Sequence, residues 1–149
     1  GLYAPKNKKK YKGNIDQVFY RSRWELLVFR WCDLNPDVIE WASEETIIPY
    51  ICNTDKKQHR YFVDLFIKFK SGRKFLIEIK PESQSVEPQP KKGKKTSTFL
   101  MATLTYQKNI SKWEAARIYA SDRGMFFQVW GESALKSIGI NVNFNRKPK

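Results

Sequence analysis

The sequence predicts an α/β sandwich with a mixed central sheet, in the order helix, three-stranded meander, helix and strand. Apolar residues recur with helical spacing over residues 22–34 and 99–122. Two mainly apolar stretches, 61–67 and 74–80, are typical of buried strands, and residues 126–130 add a short apolar strand. Elements in this order are expected to place helices on both faces of one sheet.

The first predicted helix, residues 22–34, places Trp24, Leu27, Val28 and Trp31 on one face and ends before Asn35-Pro36. Residues 41–51 are predicted to be one extended strand, which Pro49 confines to a sheet edge. Polar turns at 53–58 and 70–73 join it to strands 61–67 and 74–80. The three strands are therefore expected to form an antiparallel meander.

Residues 81–98 contain several prolines and lysines and are expected to form a long loop that is either disordered or functional. The second helix, 99–122, is either continuous or two helices joined near Asn109, and residues 133–138 suggest one or two further helical turns. The predicted organisation is a basic flexible arm at 1–14, a single domain at 15–140 and a frayed basic tail at 141–149. A chain of 149 residues with 41% hydrophobic content suits one domain.

The charge of the chain favours a polyanionic partner. Twenty-eight Lys and Arg against 15 Asp and Glu give a formal net charge of +13, for which double-stranded DNA is the leading candidate. An anionic membrane is disfavoured because no apolar run approaches about 18 residues. The lysines expected to contact the DNA backbone, without reading bases, are Lys8, Lys9, Lys10, Lys91, Lys92, Lys94 and Lys95.

The two cysteines, Cys32 and Cys52, lie in predicted apolar elements. The chain has no CxxC motif, and His59 is its single histidine. This pattern argues against a zinc site and favours two reduced core thiols in an intracellular compartment.

Charged residues within the apolar strands indicate a candidate catalytic site. Glu78 and Lys80 share one face of their strand, and Asp64 is expected across the hairpin at roughly 5 Å. Two such carboxylates repel unless a cation separates them. Mg²⁺, or Mn²⁺ in its place, is predicted to bind Asp64, Glu78 and the backbone carbonyl of Ile79, while Lys80 orients water or stabilises the transition state. The alternative is a solvent-facing polar hairpin, which the apolar neighbours disfavour.

Three further residues each have two interpretations. Glu25 forms a capping box with Ser22, or it contacts the metal. His59 is an ordinary solvent-facing histidine, or it contacts a substrate phosphate. Lys112 is a helix-surface lysine, or it reaches the scissile phosphate and so contributes to DNA binding.

The set Glu25, Phe62-Val63-Asp64 and Glu78-Ile79-Lys80 resembles the PD-(D/E)XK nuclease superfamily, with Val63 where a proline is usual. Over residues 15–130 the chain is more closely similar to the head completion nucleases of T4-like tailed phages, which are akin to TnsA-type transposon endonucleases. The stretches that carry this resemblance are Arg21-Ser22-Arg23-Trp24-Glu25, Ile39-Glu40-Trp41, His59-Arg60-Tyr61-Phe62-Val63-Asp64, Leu76-Ile77-Glu78-Ile79-Lys80-Pro81 and Lys112-Trp113-Glu114-Ala115-Ala116.

The resemblance implies a restriction-endonuclease-like α/β sandwich and a magnesium-dependent DNA nuclease that processes DNA ends during phage head completion. In the family, Glu25 corresponds to the helix-borne acid, Asp64 and Glu78 to metal ligands and Lys80 to the catalytic lysine. Head, portal or neck proteins are the implied partners. The host cytoplasm during assembly is the expected location, with the virion as the alternative.

The alternative function is a non-catalytic DNA-end-binding or head–tail connector protein, and an RNA-binding module is a third candidate. The sequence leaves endonuclease and exonuclease activity, and one metal or two, equally open.

Overall fold

A four-stranded mixed sheet separates two helical layers in the computed structural model, which describes residues 1–143. The helices are α1 (Arg23–Leu34), α2 (Ser97–Asp122) and α3 (Glu132–Ser137). The strands are β1 (Val38–Ser43), β2 (Ile47–Ile51), β3 (Gln58–Phe62), β4 (Leu65–Phe69), β5 (Lys74–Ile79) and β6 (Phe126–Trp130). Short 3-10 turns cover Lys8–Lys10, Glu82–Gln84 and Lys91–Gly93.

The central sheet has the order β1-β4-β5-β6, in which β5 and β6 are parallel and the other neighbours are antiparallel. The mixed sheet and the restriction-endonuclease-like α/β architecture predicted from the sequence are confirmed. Strand β5 lies between two strands, so its residues Leu76, Ile77 and Glu78 are buried on both faces. The centre of the candidate site is therefore held by the most constrained strand of the sheet.

Helix α1 covers one face of the sheet because its apolar stripe is continuous with the core. Val28, Phe29 and Cys32 pack into the cluster that contains Trp41 and Ile77. The helix starts at its Ser22 cap and ends at Asn35, close to the predicted bounds.

Helix α2 covers the opposite face and is one continuous helix, which settles the alternative left open by the sequence. Trp113, Ala116 and Ala120 pack against a second cluster that includes Tyr61 and Leu76. The helix begins at Ser97, two residues before the predicted start, with Thr96 as its cap.

The predicted single strands at 41–51 and 61–67 are wrong, because each is two strands separated by a bend. Glu44 has a φ of 55°, a left-handed conformation that ends β1, and the chain bends opposite it at Val63-Asp64. As a result β1 pairs with β4, whereas β2 pairs with β3 in a separate two-stranded ribbon. The pairing β1-β4-β5 retains the predicted meander, and Pro49 lies in the ribbon, where each strand has one free edge as expected.

The prediction that residues 1–14 form a flexible arm is also wrong. Tyr11 is 6% exposed and packs edge-on against Trp41, and the Tyr3 amide donates to the Val18 carbonyl at 2.8 Å. The buried carboxylate of Asp33 accepts hydrogen bonds from the Tyr3 hydroxyl at 2.6 Å and from the amides of residues 6 and 7 at 2.7 and 2.9 Å. Burial by itself would raise the pKa of Asp33, but these hydrogen bonds hold it below its usual range. The segment is anchored by its tyrosines despite its lysines.

The structure describes only part of the predicted C-terminal tail and modifies the predicted loop at residues 81–98. Residues 144–149 of the predicted basic tail lie outside the described residues. Within residues 81–98, two short 3-10 turns interrupt the predicted loop.

Both cysteines are free and buried, as expected of core thiols. None of the helices in the described part of the chain is long and apolar enough to cross a membrane.

Candidate active site

Asp64 lies at the bend between β3 and β4, beside the end of β5. The pairing of Leu65 with Ile77 places Asp64 next to Glu78, across the hairpin as predicted. The Asp64 Oδ2 atom accepts a hydrogen bond of 2.8 Å from the Ile79 amide. One carboxylate oxygen of Asp64 is therefore held by the backbone of the strand that carries Glu78.

Glu78 is 7% exposed and has a specific partner for each carboxylate oxygen. The Tyr61 hydroxyl donates a short hydrogen bond to Oε2, and Lys80 Nζ lies 3.7 Å from Oε1. The side chain of Lys80 is 19% exposed, on the same face of β5 as Glu78. This burial contradicts the alternative of a solvent-facing polar hairpin.

The electrostatics of Asp64 suit a bound cation. Burial, followed by the negative charge of Glu78, raises the pKa of Asp64 to about 8 despite the hydrogen bond from Ile79. Glu25 and Glu44 raise it further. Buried carboxylates with excess negative charge and hard oxygen donors are the environment that Mg²⁺ and Mn²⁺ prefer. The residues present therefore fit the predicted metal.

Glu25 serves as part of the α1 cap. Its amide donates to Ser22 Oγ at 3.1 Å, and its Oε1 atom accepts from the Arg21 amide at 3.3 Å. Burial raises the pKa of Glu25, and the charge of Glu44 adds to that effect. The capping role is thus present in the structure, and a metal contact by Glu25 stays a prediction.

Glu44 belongs to the same carboxylate group but is absent from the sequence-based prediction. It forms an ion pair with Arg21, and its backbone amide donates to the Asp64 carbonyl at 3.3 Å. The pKa of Asp64 is raised partly by Glu44. The sequence signal was the polar Ser43-Glu44-Glu45 turn, which the prediction of one continuous strand over residues 41–51 concealed.

Lys112 projects from α2 toward the carboxylates. Its Nζ atom lies 5.5 Å from the centre of the Tyr61 ring. Burial lowers the pKa of Lys112, while the charge of Glu78 acts in the opposite direction and Lys80 adds to the lowering. Lys112 therefore lies near enough to Glu78 and Lys80 to feel their charges, and its contact with the scissile phosphate stays a prediction.

Within the described part of the chain, the polar contact of His59 is with Asp55 and not with Asp64 or Glu78. Its Nε2 atom lies 2.7 Å from Asp55 Oδ2, and its ring stacks on Tyr50 with centroids 5.6 Å apart. The histidine thus belongs to the β2–β3 ribbon and not to the Asp64 site.

The predicted DNA-binding lysines fall into two groups. Lys10 Nζ donates to the carbonyls of Asp33 and Asn35 at 3.0 and 2.8 Å, so it satisfies the C-terminal end of α1 and has a structural role that was not predicted. The exposed lysines are Lys8, Lys9, Lys91, Lys92, Lys94 and Lys95. Those of the 81–98 segment lie between the end of β5, which carries Glu78 and leads into Lys80, and α2, which carries Lys112.

Comparison with known proteins agrees with this geometry. Residues 35–132 match the family model described as "TnsA-like endonuclease N terminal". The chain is 39% identical over 143 residues to the "Head completion nuclease" of Enterobacteria phage T4, covering 94% of this chain and 95% of that protein. No solved structure matches the chain significantly. The matched span contains Asp64, Glu78, Lys80 and Lys112, and the chain therefore belongs to the TnsA-like endonuclease family and has the role of a nuclease.

Proposed function

We propose that the protein is a metal-dependent nuclease that hydrolyses double-stranded DNA with little sequence specificity. The observation that carries this proposal is that half-buried Asp64 and buried Glu78 lie side by side, with Lys80 and Lys112 close to them. In a purely structural protein this carboxylate pair would oppose folding, because repulsion and desolvation are only partly offset by its hydrogen bonds and the pKa of Asp64 stays raised.

Asp64, Glu78 and the carbonyl of Ile79 would hold Mg²⁺, with Mn²⁺ as a substitute and Glu25 as an additional ligand. When bound, such an ion polarises the phosphoryl oxygen and offsets developing negative charge. The protein prepares the site by restraining one oxygen of each carboxylate, through the Ile79 amide for Asp64 and the Tyr61 hydroxyl for Glu78.

Lys80 is the residue best placed to act on the reacting groups. Its ammonium group, 3.7 Å from Glu78 and partly exposed, can donate to the attacking water or to the phosphoryl oxygens of the transition state. Lys112 adds a second positive charge from α2 and is suited to binding the phosphate next to the cleaved bond. Neither function requires a histidine.

In this proposal the protein binds DNA through electrostatic attraction between its lysines and the phosphate backbone of the DNA. The net charge of +13 and the exposed lysines at 8, 9, 91, 92, 94 and 95 attract phosphates without reading bases.

The proposed biological setting is based on the name of the T4 relative. The relative is named a head completion nuclease, and we propose the same stage for this chain, with DNA-end processing before the head joins the tail. Head, portal or neck proteins are its proposed partners, and the host cytoplasm during assembly or the virion is its proposed location. The second candidate, a DNA-end-binding connector without activity, is favoured only by the high positive charge.

The test is cleavage of closed circular plasmid and linear duplex by the purified protein in Mg²⁺, in Mn²⁺ and in EDTA. We expect both DNAs to be bound in all three conditions and cut only with the metals. Cutting of circular DNA would assign endonuclease activity, and cutting of linear DNA alone would assign exonuclease activity. Binding without cutting in every condition would support the connector alternative, and cutting in EDTA would contradict metal dependence.

Tyr61 offers a prediction about how Glu78 is positioned. Tyr61→Phe removes the donor to Glu78 Oε2 while keeping the buried ring, so we expect the cleavage rate to fall roughly tenfold, as is typical for loss of a residue that orients a metal ligand. Single-turnover cleavage at several Mg²⁺ concentrations measures this effect. Tyr50→Phe, in the same ribbon and also buried, is the matched control and should cleave at the wild-type rate. Equal rates for all three proteins would show that Tyr61 has no positioning role.

A further inference from the structure

A second group of ligand atoms lies in the turn between β2 and β3, outside the nuclease site. Cys52 Sγ, one carboxylate oxygen of Asp55 and one ring nitrogen of His59 all lie within 4.8 Å of one another. In the described part of the chain this is the only group of three or more Cys, His, Asp or Glu side chains that converge so closely. None of these three residues belongs to the Asp64 site.

The backbone of the turn presets this arrangement. The Lys56 amide donates to the Cys52 carbonyl at 2.8 Å, and the Cys52 amide donates to the Lys57 carbonyl at 3.0 Å. The Lys57 amide also donates to Asp55 Oδ1 at 2.9 Å. Asp55 Oδ1 is therefore held by the backbone of the turn, and Oδ2 faces His59.

The turn is also fixed to the body of the protein. The Asn53 amide donates to Ser111 Oγ on α2 at 3.0 Å, and the His59 ring is stacked on Tyr50. Cys52 is fully buried, whereas Asp55 is exposed and His59 is half-buried. The cluster is therefore open to solvent on the side of Asp55 and His59, with the thiol at its inner end.

We propose that this turn binds Zn²⁺ through Cys52 Sγ, Asp55 Oδ2 and His59 Nε2, with a water molecule as the fourth ligand. A mixed set of one sulfur, one nitrogen and one oxygen suits a borderline-soft ion with tetrahedral geometry, and it does not suit Mg²⁺. The Cys52 thiol loses its proton to solvent on binding, and neutral His59 donates its Nε2 lone pair. The Thr54 hydroxyl, 3.1 Å from Sγ, is placed to donate a hydrogen bond to the resulting thiolate.

This assignment reverses the expectation from sequence that the chain has no zinc site. That expectation relied on the lack of a CxxC motif and of a second histidine. The turn instead combines one cysteine, one carboxylate and one histidine at the spacing C-x2-D-x3-H, which matches no standard motif. The ion would brace the ribbon that carries Tyr61, the hydrogen-bond donor to Glu78.

The test is a titration of the purified protein with Co²⁺ as a spectroscopic probe, followed by competition with Zn²⁺. We expect a sulfur-to-cobalt charge-transfer band and tetrahedral d–d bands that saturate at one equivalent and disappear when Zn²⁺ is added. Oxygen ligands alone cannot produce the charge-transfer band, so Co²⁺ bound at Asp64 and Glu78 is distinguishable.

Matched variants identify the ligands. Cys52→Ser should lose the charge-transfer band, and His59→Gln should weaken Co²⁺ affinity at least about tenfold. Cys32→Ser removes the other buried cysteine and Asp64→Asn alters the nuclease site, and both should keep the band. Absence of a band in the wild-type protein, or a band that survives Cys52→Ser, would overturn the proposal.

Discussion

Lys80→Ala should reduce the rate of DNA cleavage by about a thousandfold or more, which corresponds to a loss of roughly 4 kcal/mol of transition-state stabilisation. Lys80 lies at the exposed edge of the carboxylate pair and is the ammonium group within 4 Å of Glu78. Because its proposed role concerns the transition state, DNA affinity should change little. Single-turnover cleavage and a filter-binding or anisotropy assay on the same duplex separate the two effects.

Lys74→Ala is the matched control for Lys80→Ala. Lys74 lies on β5, on the same face as Lys80 but at the opposite end of the strand. Both substitutions remove one positive charge, but Lys74 lies away from the carboxylate pair, so the control should cleave at close to the wild-type rate. A similar loss in both variants would mean that Lys80 contributes only general attraction for DNA.

Asp64→Asn should abolish cleavage and at the same time stabilise the metal-free protein at alkaline pH. The pKa of Asp64 is raised from its ordinary value to about 8 in the folded state, so the folded protein binds this proton more tightly than the unfolded chain does. As the pH rises from about 4 to about 8, wild-type stability should fall by up to roughly 1.4 kcal/mol per pH unit through this group, and above about pH 8 the loss should be complete. Asparagine has no proton to lose and escapes this penalty.

The measurement is the unfolding free energy of wild-type and Asp64→Asn protein in EDTA at about pH 5 and about pH 8. The advantage of the variant should be small at the lower pH and should reach a few kcal/mol at the higher pH. Saturating Mg²⁺ should then stabilise the wild-type protein and have little effect on the variant, because bound metal stabilises only the state that holds it. A variant less stable than wild type at both pH values would contradict the proposed charge repulsion.

Periodicity was sufficient to predict those parts of the fold whose residues depend on their immediate neighbours. The spacing of Trp24, Leu27, Val28 and Trp31 predicted α1, and alternation along β5 placed Glu78 and Lys80 on one face. The same alternation does not show where a strand bends. A single left-handed residue, Glu44, divides one predicted strand into two, and the other predicted strand is divided at the bend where Asp64 lies.

Contacts between distant segments account for the other differences. The N-terminal lysines suggested a flexible arm. However, the Tyr3 hydroxyl donates to the Asp33 carboxylate and the Tyr11 ring packs on Trp41, and both partners are remote in sequence. Lys10 likewise donates hydrogen bonds to the backbone carbonyls at the end of α1. Composition averages over such segments, so it cannot identify a few residues that anchor them.

By itself the sequence determined the fold class, the two carboxylates with their lysine, and a charge suited to DNA, because strand alternation and net charge are local or additive properties. Only the tertiary structure decided what surrounds them. It brought Glu44 and Lys112 to Asp64, assigned Tyr61 to Glu78, removed His59 from that site and joined it to Cys52 and Asp55. These relations depend on chain bends and on the packing of α2 across the sheet, which bring together side chains from separate elements.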